Sequence, residues 1–578
     1  MKRFLAWLLT AAVALSCVTS ACAIVTEDGV VYLGYEGEYA DPGYAPVTDG
    51  EPVKVTIAHR SDPNLTYFGT DTEEDNWYLR MLEKQLNIDI VYQQLIPSGE
   101  YDATMSLVIA GNDLPDAMVV NTSTMLELMD AGLIKDMTQT YNTYASKYVK
   151  EIYGWSDVVF ENCTTDGRIY GIPSQDSTDG TCDMLWIRQD WLDKLNLKAP
   201  TSLEDLVNVA RAFMTQDPDG NGENDTWGIG ATSNFFRDET GWGGVVGSME
   251  SIFHAMDSFP SLFYWNEDKT EILYGGLQPE TKEALAYIQA LVAEGIIKKD
   301  FATMSWDQVN EAVWTDKCGI VISPWWQCVG SDMALEGKLW LAYALPLNAE
   351  GYYVNPLSNP TGQYIVVNAN ASDDVAQAVM KICNIQAYTG GRMMCEDVFT
   401  ELRKQEGYEG LWFANTYFPF VCNLDQHDKH SAMAGDAKKY YAGELAFEDM
   451  PGEIQGLVPK WDLLMGEPYN GDFIAFMTSE DFVPWANQYL VYLNAMMALY
   501  EAKEEGISLM KEPATFKLSA SDSWVEYGAM LVKLQKEYFT KIALGELSID
   551  AFDEFASQWL DMGGADVIAE LTEYVNNK

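Results

Sequence analysis

Positive charge is scarce in this chain: 36 Lys and Arg stand against 87 Asp and Glu, for a formal net charge of −51. Holding nucleic-acid phosphates takes clustered Lys and Arg, so a nucleic-acid partner is excluded, and an anionic membrane surface is disfavoured on the same ground. An acidic, well-solvated surface suits a neutral ligand or a metal cation better. Histidine is also scarce, with only His59, His254, His427 and His430. The chain contains no H-E-x-x-H, no G-x-S-x-G and no P-loop, so the usual sequence signals for a zinc protease, a serine hydrolase or a nucleotidase are missing. Cysteines number nine. Past residue 23 they are Cys163, Cys182, Cys318, Cys328, Cys383, Cys395 and Cys422, an odd, scattered set without C-x-x-C. That pattern is neither a disulfide framework nor a zinc ribbon. Long apolar runs are absent past the N-terminus, and the one there, Leu5 to Leu15, is too short to span a bilayer.

What is present begins with that run. Lys2 and Arg3 precede it, and Ala21-Cys22-Ala23 follows as an A-x-A site, so residues 1–23 read as an export signal. Lipid attachment at Cys22 or Cys17 is the alternative, although neither has Leu three residues upstream. The expected location is the outer face of the cytoplasmic membrane, as a lipoprotein, or the periplasm or medium. Residues 24–52, rich in Gly, Glu, Tyr and Pro, read as a spacer. The folded part opens with an alternating β-branched strand at Val53–Ala58. A helix near Asn76–Leu86, a strand at Ile88–Tyr92, a helix at Tyr101–Ala110 and a strand entered at Leu114 follow. This succession predicts an α/β unit with a parallel sheet. Ligands bind beyond the carboxyl ends of such strands, which marks the loops Ala58–Asp62 and Asn121–Thr124. A second α/β region runs from Met184, with helices at Leu203–Met214 and Pro279–Glu294 and a strand ending at Ile322. Past Pro484 the pattern reads as successive helices. At 578 residues the chain is too long for one ordinary core.

Aromatic residues reach 12%, with 18 Trp and 32 Tyr, enough to leave some outside the core for a ligand surface. Trp242 sits among glycines in Glu239-Thr240-Gly241-Trp242-Gly243-Gly244, and Trp77 lies near the first strand's loop; both are candidate ligand contacts, with packing as the alternative. Asp217-Pro218-Asp219-Gly220-Asn221-Gly222-Glu223-Asn224-Asp225 supplies the first nine positions of a calcium loop. Oxygen donors at alternate positions wrap a hard cation, and glycine at the sixth allows the sharp turn. The expected ligands are Asp217, Asp219, Asn221, Asp225 and the Glu223 carbonyl, for a structural calcium. The twelfth position is Gly228 rather than Glu, so a complete EF-hand is excluded, and a metal-free Asp/Asn/Gly turn is the alternative.

Several phrases, in order along nearly the whole chain, resemble family 1 extracellular solute-binding proteins of the LplA-like branch. They include Asp130-Ala131-Gly132-Leu133 through Thr138, Asp166-Gly167-Arg168-Ile169-Tyr170-Gly171-Ile172-Pro173, and Leu185-Trp186-Ile187-Arg188-Gln189-Asp190-Trp191-Leu192 followed by Pro200-Thr201. Glu294-Gly295-Ile296-Ile297 and Gly563-Gly564-Ala565-Asp566 complete the set. The resemblance implies a two-lobed α/β fold of the type II periplasmic-binding-protein kind, with additional C-terminal helices. Lobe one is expected over 53–172 and 347–395 and lobe two over 184–345. Residues 396–578 are expected as a mainly helical region packing on both. It further implies a monomer that clamps a small ligand, an oligosaccharide by the family's habit, and delivers it to ABC permease subunits in the membrane. Ile322-Ser323-Pro324-Trp325-Trp326 resembles the turn of maltose-binding proteins whose Trp stacks on a sugar, which points to Trp325 and Trp326. Asn121 and Ser123 match the loop that bonds sugar hydroxyls in this fold. Some alginate-binding relatives carry a calcium at the place of the 217–225 loop. The competing readings are a glycoside hydrolase or lyase, a peptide or other solute as ligand, and an adhesion or sensory module. The acidity sits awkwardly with a polyuronate unless arginines such as Arg168, Arg237 or Arg392 offset it.

Overall fold

The computed structural model describes residues 24–27, 30–33, 41–62, 67, 69–178, 183–234, 246–327, 329–330, 333, 338–344, 346–357, 361–390, 417–450, 487–515 and 517–577. The export signal at 1–23, the Trp242 loop, Arg237, Arg392, Cys182, Cys328 and Cys395 lie outside them. The chain divides into two compact units. One comprises 1–177, 360–429 and 436–457; the other comprises 178–359, 430–435 and 458–578.

Unit one is built on a five-stranded sheet ordered 88–97, 53–61, 117–121, 363–367, 172–173. The first three strands are parallel, as the β-α-β spacing predicts, and Gln363–Val367 then pairs antiparallel with Ala117–Asn121. Val55, Ile57, Val119, Ile365 and Val367 share one buried cluster with residues of the helices Trp77–Leu86 and Asp373–Gly390. Ala58, Met118, Val120, Tyr364 and Val366 share another with residues of Tyr101–Ala110 and Thr122–Asp130. A sheet apolar on both faces needs cover on both. The helix Trp77–Leu86 has sharp, legible ends. Asn76 caps its start by accepting from the Tyr78 and Leu79 N–H groups, and Asn87 ends it in a left-handed conformation.

The described residues of the stretch expected to be a spacer carry structure. Ile24–Glu27 and Val30–Leu33 form an antiparallel hairpin. Residues 41–47 are bound into unit one: Asp41 accepts from the Gly43 and Lys147 N–H groups, and Asn384 donates to Gly43 O at 2.9 Å. Lys381 donates to Ala45 O at 2.7 Å and to Pro46 O at 3.0 Å, while Tyr44 joins the core. Composition signals coil here because the ties are long-range polar ones, which leave no periodicity in the sequence.

Unit two carries a three-stranded antiparallel sheet ordered Ile320–Pro324, Asp183–Arg188, Trp340–Tyr343. Leu185, Ile187, Ile320 and Ile322 join a core with the helices Leu203–Thr215 and Pro279–Glu294 and with Asp522–Ala543, Ala551–Trp559 and Ala565–Asn576. The C-terminal helices from Asp522 onward are thus part of unit two. A Cβ on Gly564, between the last two helices, would lie 2.1 Å from the Trp559 ring, which explains glycine in the Gly563-Gly564 phrase. The run of helices expected past Pro484 is interrupted: Ser508–Lys511 is a strand, parallel to Tyr353–Pro356. Its partner lies about 155 residues earlier in the chain, beyond the reach of local periodicity.

Candidate functional site

In unit one, the two stretches expected as loops lie at the carboxyl ends of the Val53–Ser61 and Ala117–Asn121 strands but are regular structure: Ala58–Ser61 continues its strand, and Thr122–Thr124 opens the helix Thr122–Asp130. Asn121 accepts the Thr124 N–H at 2.9 Å and so caps the helix that follows, while Ser123 on that helix's first turn is exposed. Trp77, expected at a ligand surface, is only 6% exposed and packs in the core, edge-on to Tyr78 at 5.3 Å and 5.9 Å from the Tyr417 ring. The reason is its position as the first residue of a helix whose inward face is apolar.

Three features at this end of unit one carry no sequence signal. His59 is buried and stacks on Tyr92 at 4.4 Å. One ring nitrogen lies 3.2 Å from Pro419 O and the other 3.5 Å from Glu73, which also accepts from Ser61. Burial lowers the pKa of His59 in spite of these acceptors. Arg60 places its guanidinium carbon 4.6 Å over the Tyr101 ring. Trp155 and His427 stack at 4.8 Å, and Trp155 Nε1 donates to Gln175. None follows a spacing rule, since each joins residues that only the sheet topology brings together.

In unit two, Trp325 opens a single helical turn directly after the Ile320–Pro324 strand. It is 9% exposed, with its ring 4.0 Å from that of His430. Trp186, fully buried, donates from Nε1 to Ser323 O at 3.0 Å and so pins the turn. The Trp326 side chain lies outside the described residues. A polar group adjoins the same strands: Ser248 lies 3.4 Å from Asp183, the Glu250 N–H 3.4 Å from Ser248, and the Tyr353 hydroxyl bonds Asp183 O. Further back, Arg188 is 2% exposed, bonds Asp190 through both Nε and Nη2, reaches Asp316 at 2.7 Å, and lies over Trp191. That network accounts for the Ile187-Arg188-x-Asp190-Trp191 phrase as structural.

The acidic loop folds back on itself. Asp217 accepts from the Gly220 and Gly222 N–H groups, each at 3.0 Å, and Asn221 donates to Asp219 at 2.8 Å and to Asp225 at 3.1 Å. The Lys317 ammonium bonds Asp225 and lies 3.9 Å from Asp219. Burial, then a hydrogen bond shared with Asp217, pushes the Asp219 carboxyl up. Asp217, against burial, is held down by its bonds from Asp219, Gly222 and Gly220. One lysine ammonium, that of Lys317, thus serves Asp225 and Asp219 together. Among the described residues no three carboxylate, imidazole or thiol groups form a metal cluster; the remaining oxygen donors are an amide and a carbonyl. Gly228 at the twelfth position offers no side-chain ligand, and a side chain there is barred because a Cβ would lie 2.4 Å from Ile296 O.

Three proteins frame these observations. The chain is 27% identical to Lipoprotein LipO of Bacillus subtilis (strain 168) over 42% of its own length and 46% of LipO, so it spans about half of that relative. It is 22% identical to the Polygalacturonan/rhamnogalacturonan-binding protein YtcQ of the same organism, over 86% of this chain and 87% of YtcQ. The fold is shared with the Streptococcus pneumoniae ABC-transporter substrate binding protein FusA, solved as an EF-hand mutant in complex with fructo-nystose. The TM-score is 0.54 and the identity 15%, over 91% of this chain and 99% of FusA. Residues 69–382 match the family described as Bacterial extracellular solute-binding protein. That match spans the central strands of both units and more than half of the sequence, and the chain belongs to this family.

Proposed function

We propose that the protein is the extracytoplasmic solute-binding component of an ABC importer and that it captures an oligosaccharide. The observation that carries this reading is the family match over 69–382, joined to aromatic and polar side chains at the strand ends of each unit. The saccharide-binding names of YtcQ and FusA support the ligand class. Trp325, Trp326, Trp242, Asn121 and Ser123 are the proposed contacts: indole faces suit the apolar C–H faces of sugar rings, and the amide and hydroxyl suit their hydroxyls. The partners are ABC permease subunits, and the location is outside the cytoplasmic membrane, lipid-anchored or free. Among the described residues no helix is long and apolar enough to cross a membrane. The protein works as a monomer and leaves its ligand unchanged.

A structural calcium at the 217–225 loop is the second part of this reading. Asp217, Asp219, Asn221 and Asp225 would hold it through side-chain oxygens and Glu223 through its carbonyl, with the ion adding positive charge to that of Lys317 and of Lys194, which bonds the Asp217 and Pro218 carbonyls. A thermal-shift screen of the chain from Ile24 onward, against an oligosaccharide panel with and without calcium, tests both readings. A ligand at a hundred times its dissociation constant stabilises by about 2.7 kcal/mol. A selective, saturating shift without released product is the expected result, together with a smaller shift from calcium that Asp219→Asn abolishes. Consumption of the sugar would establish the enzyme instead, and a shift with peptides alone would replace the ligand class.

A further inference from the structure

Resting on the oligosaccharide reading, the structure carries one step further, to the chemical class of the sugar. Arg60 is the penultimate residue of the Val53–Ser61 strand, two positions from Ala58, and so lies on the sheet face covered by Tyr101–Ala110 and Thr122–Asp130. The 53–61 and 117–121 strands run parallel from the pairing of Ile57 with Ala117, so Arg60 and Asn121 emerge at the same end of adjacent strands. Arg60 is held at its root. Its guanidinium lies over Tyr101, whose hydroxyl reaches Ala58 O, and its side chain is 21% exposed.

Among the described residues Arg60 has no hydrogen-bond acceptor. A guanidinium carries five N–H donors in a fixed fork. Its nearest carboxylate, Asp102, stands 3.9 Å away with 69% of its side chain exposed, at the outer limit of an ion pair and worth little in water. The Nε–H is buried with no acceptor among the described residues, and no described residue accepts a hydrogen bond from the rest of the group. A structural arginine looks different: Arg188 in unit two spends its donors on two carboxylates. At the same end of the neighbouring strand, Asn121 keeps an amide N–H₂ beyond its capping bond, and Ser123 on the following helix is exposed. Asn162, in the turn after Asp157–Phe160, is 1% exposed, and its Oδ1 has no donor among the described residues. It adjoins Tyr364, which pairs with Val120.

We propose that Arg60 is the residue that reads a carboxylate on the ligand, and that the preferred ligand is an oligosaccharide containing uronic acid. A fork of unused donors matches a carboxylate bidentately, and a sugar acid also brings hydroxyl donors that an exposed side chain such as Ser123 can receive. The net charge of −51 does not forbid this, because at physiological ionic strength fields beyond about 8 Å are screened and the local arginine decides.

The test is calorimetric titration of the chain from Ile24 onward with trigalacturonate and trimannuronate against neutral galactotriose and mannotriose. Wild type, Arg60→Met and Arg60→Lys are compared, with unfolding midpoints measured on each. The expected wild type binds one acidic trimer at least roughly tenfold tighter than its neutral counterpart. Arg60→Met erases that preference at an unchanged midpoint, and Arg60→Lys, with charge but no fork, retains only part of it. Should Arg60→Met fail to fold, the lysine variant decides, because full retention of the preference there overturns the proposal. Equal or tighter binding of the neutral trimers by wild type overturns it and leaves the oligosaccharide reading standing. Binding of no saccharide at all removes both.

Discussion

At the scale of single residues, the buried charges fall into groups that are used and groups that are not. Arg188 is used: Asp190, Asp316 and Lys338 form one chain of ion pairs through it. Removing one partner of a buried pair leaves the others uncompensated, so Arg188→Met should destabilise unit two by about 3–5 kcal/mol in urea unfolding. Half of this network is legible in the sequence, because Arg188 and Asp190 are two residues apart, whereas Asp316 arrives from the end of another helix and gives no local sign. Lys381 makes a second case. Burial holds its pKa down to about 8 from 10.5 while it ties down Ala45 and Pro46. Between those values the unfolded chain keeps a proton that the folded chain has shed, so stability contributed at this site rises with pH through the window. The difference in unfolding free energy between wild type and Lys381→Met should therefore grow in favour of wild type from about pH 8 to 10.5. A flat difference would show that Lys381 is not desolvated.

At the scale of elements, the loop Asp217–Asp225 shows what a motif can and cannot say. Its donor spacing is readable from sequence, and so is the missing twelfth ligand. The reason for that absence is not: Gly228 is pressed against the Ile296 backbone, in a stretch where Trp227, Ile229 and Gly230 bridge to Cys318, Ile297 and Val321. Gly228→Glu, which would complete the motif on paper, should lower the unfolding midpoint and fail to tighten calcium binding, as read by differential scanning fluorimetry and a calcium titration. Several of unit one's elements are legible where local signals agree, as in the alternation of Val53–Ala58 and the Asn76 cap before an amphipathic helix, but the strands run on to Ser61 and Pro97, and the short helices Thr122–Asp130, Thr138–Tyr144 and Lys147–Tyr153 are not expected from the sequence. The 508–511 strand is not, nor are the ties of residues 41–47, because both depend on partners far along the chain. The same limit explains Trp77 and Arg60. Residue type offers an indole for the ligand surface, but the fold buries Trp77 and leaves unused donors on Arg60 instead.

At the scale of the whole molecule, each unit is a sheet-and-helix body with its own core, and the family match runs across the sequence of both. Composition alone narrows the partners: a chain with 87 acids and 36 bases turns polyanions away unless a particular cation receives them. The central claim is capture of a saccharide without chemistry. It is tested most directly by titration calorimetry of the chain from Ile24 onward with an oligosaccharide selected by thermal shift, followed by chromatography of the recovered sugar. The account predicts saturable binding at one ligand per chain with the sugar returned intact. A shortened or unsaturated sugar in the recovered fraction, or no saturable heat with any saccharide, would contradict it.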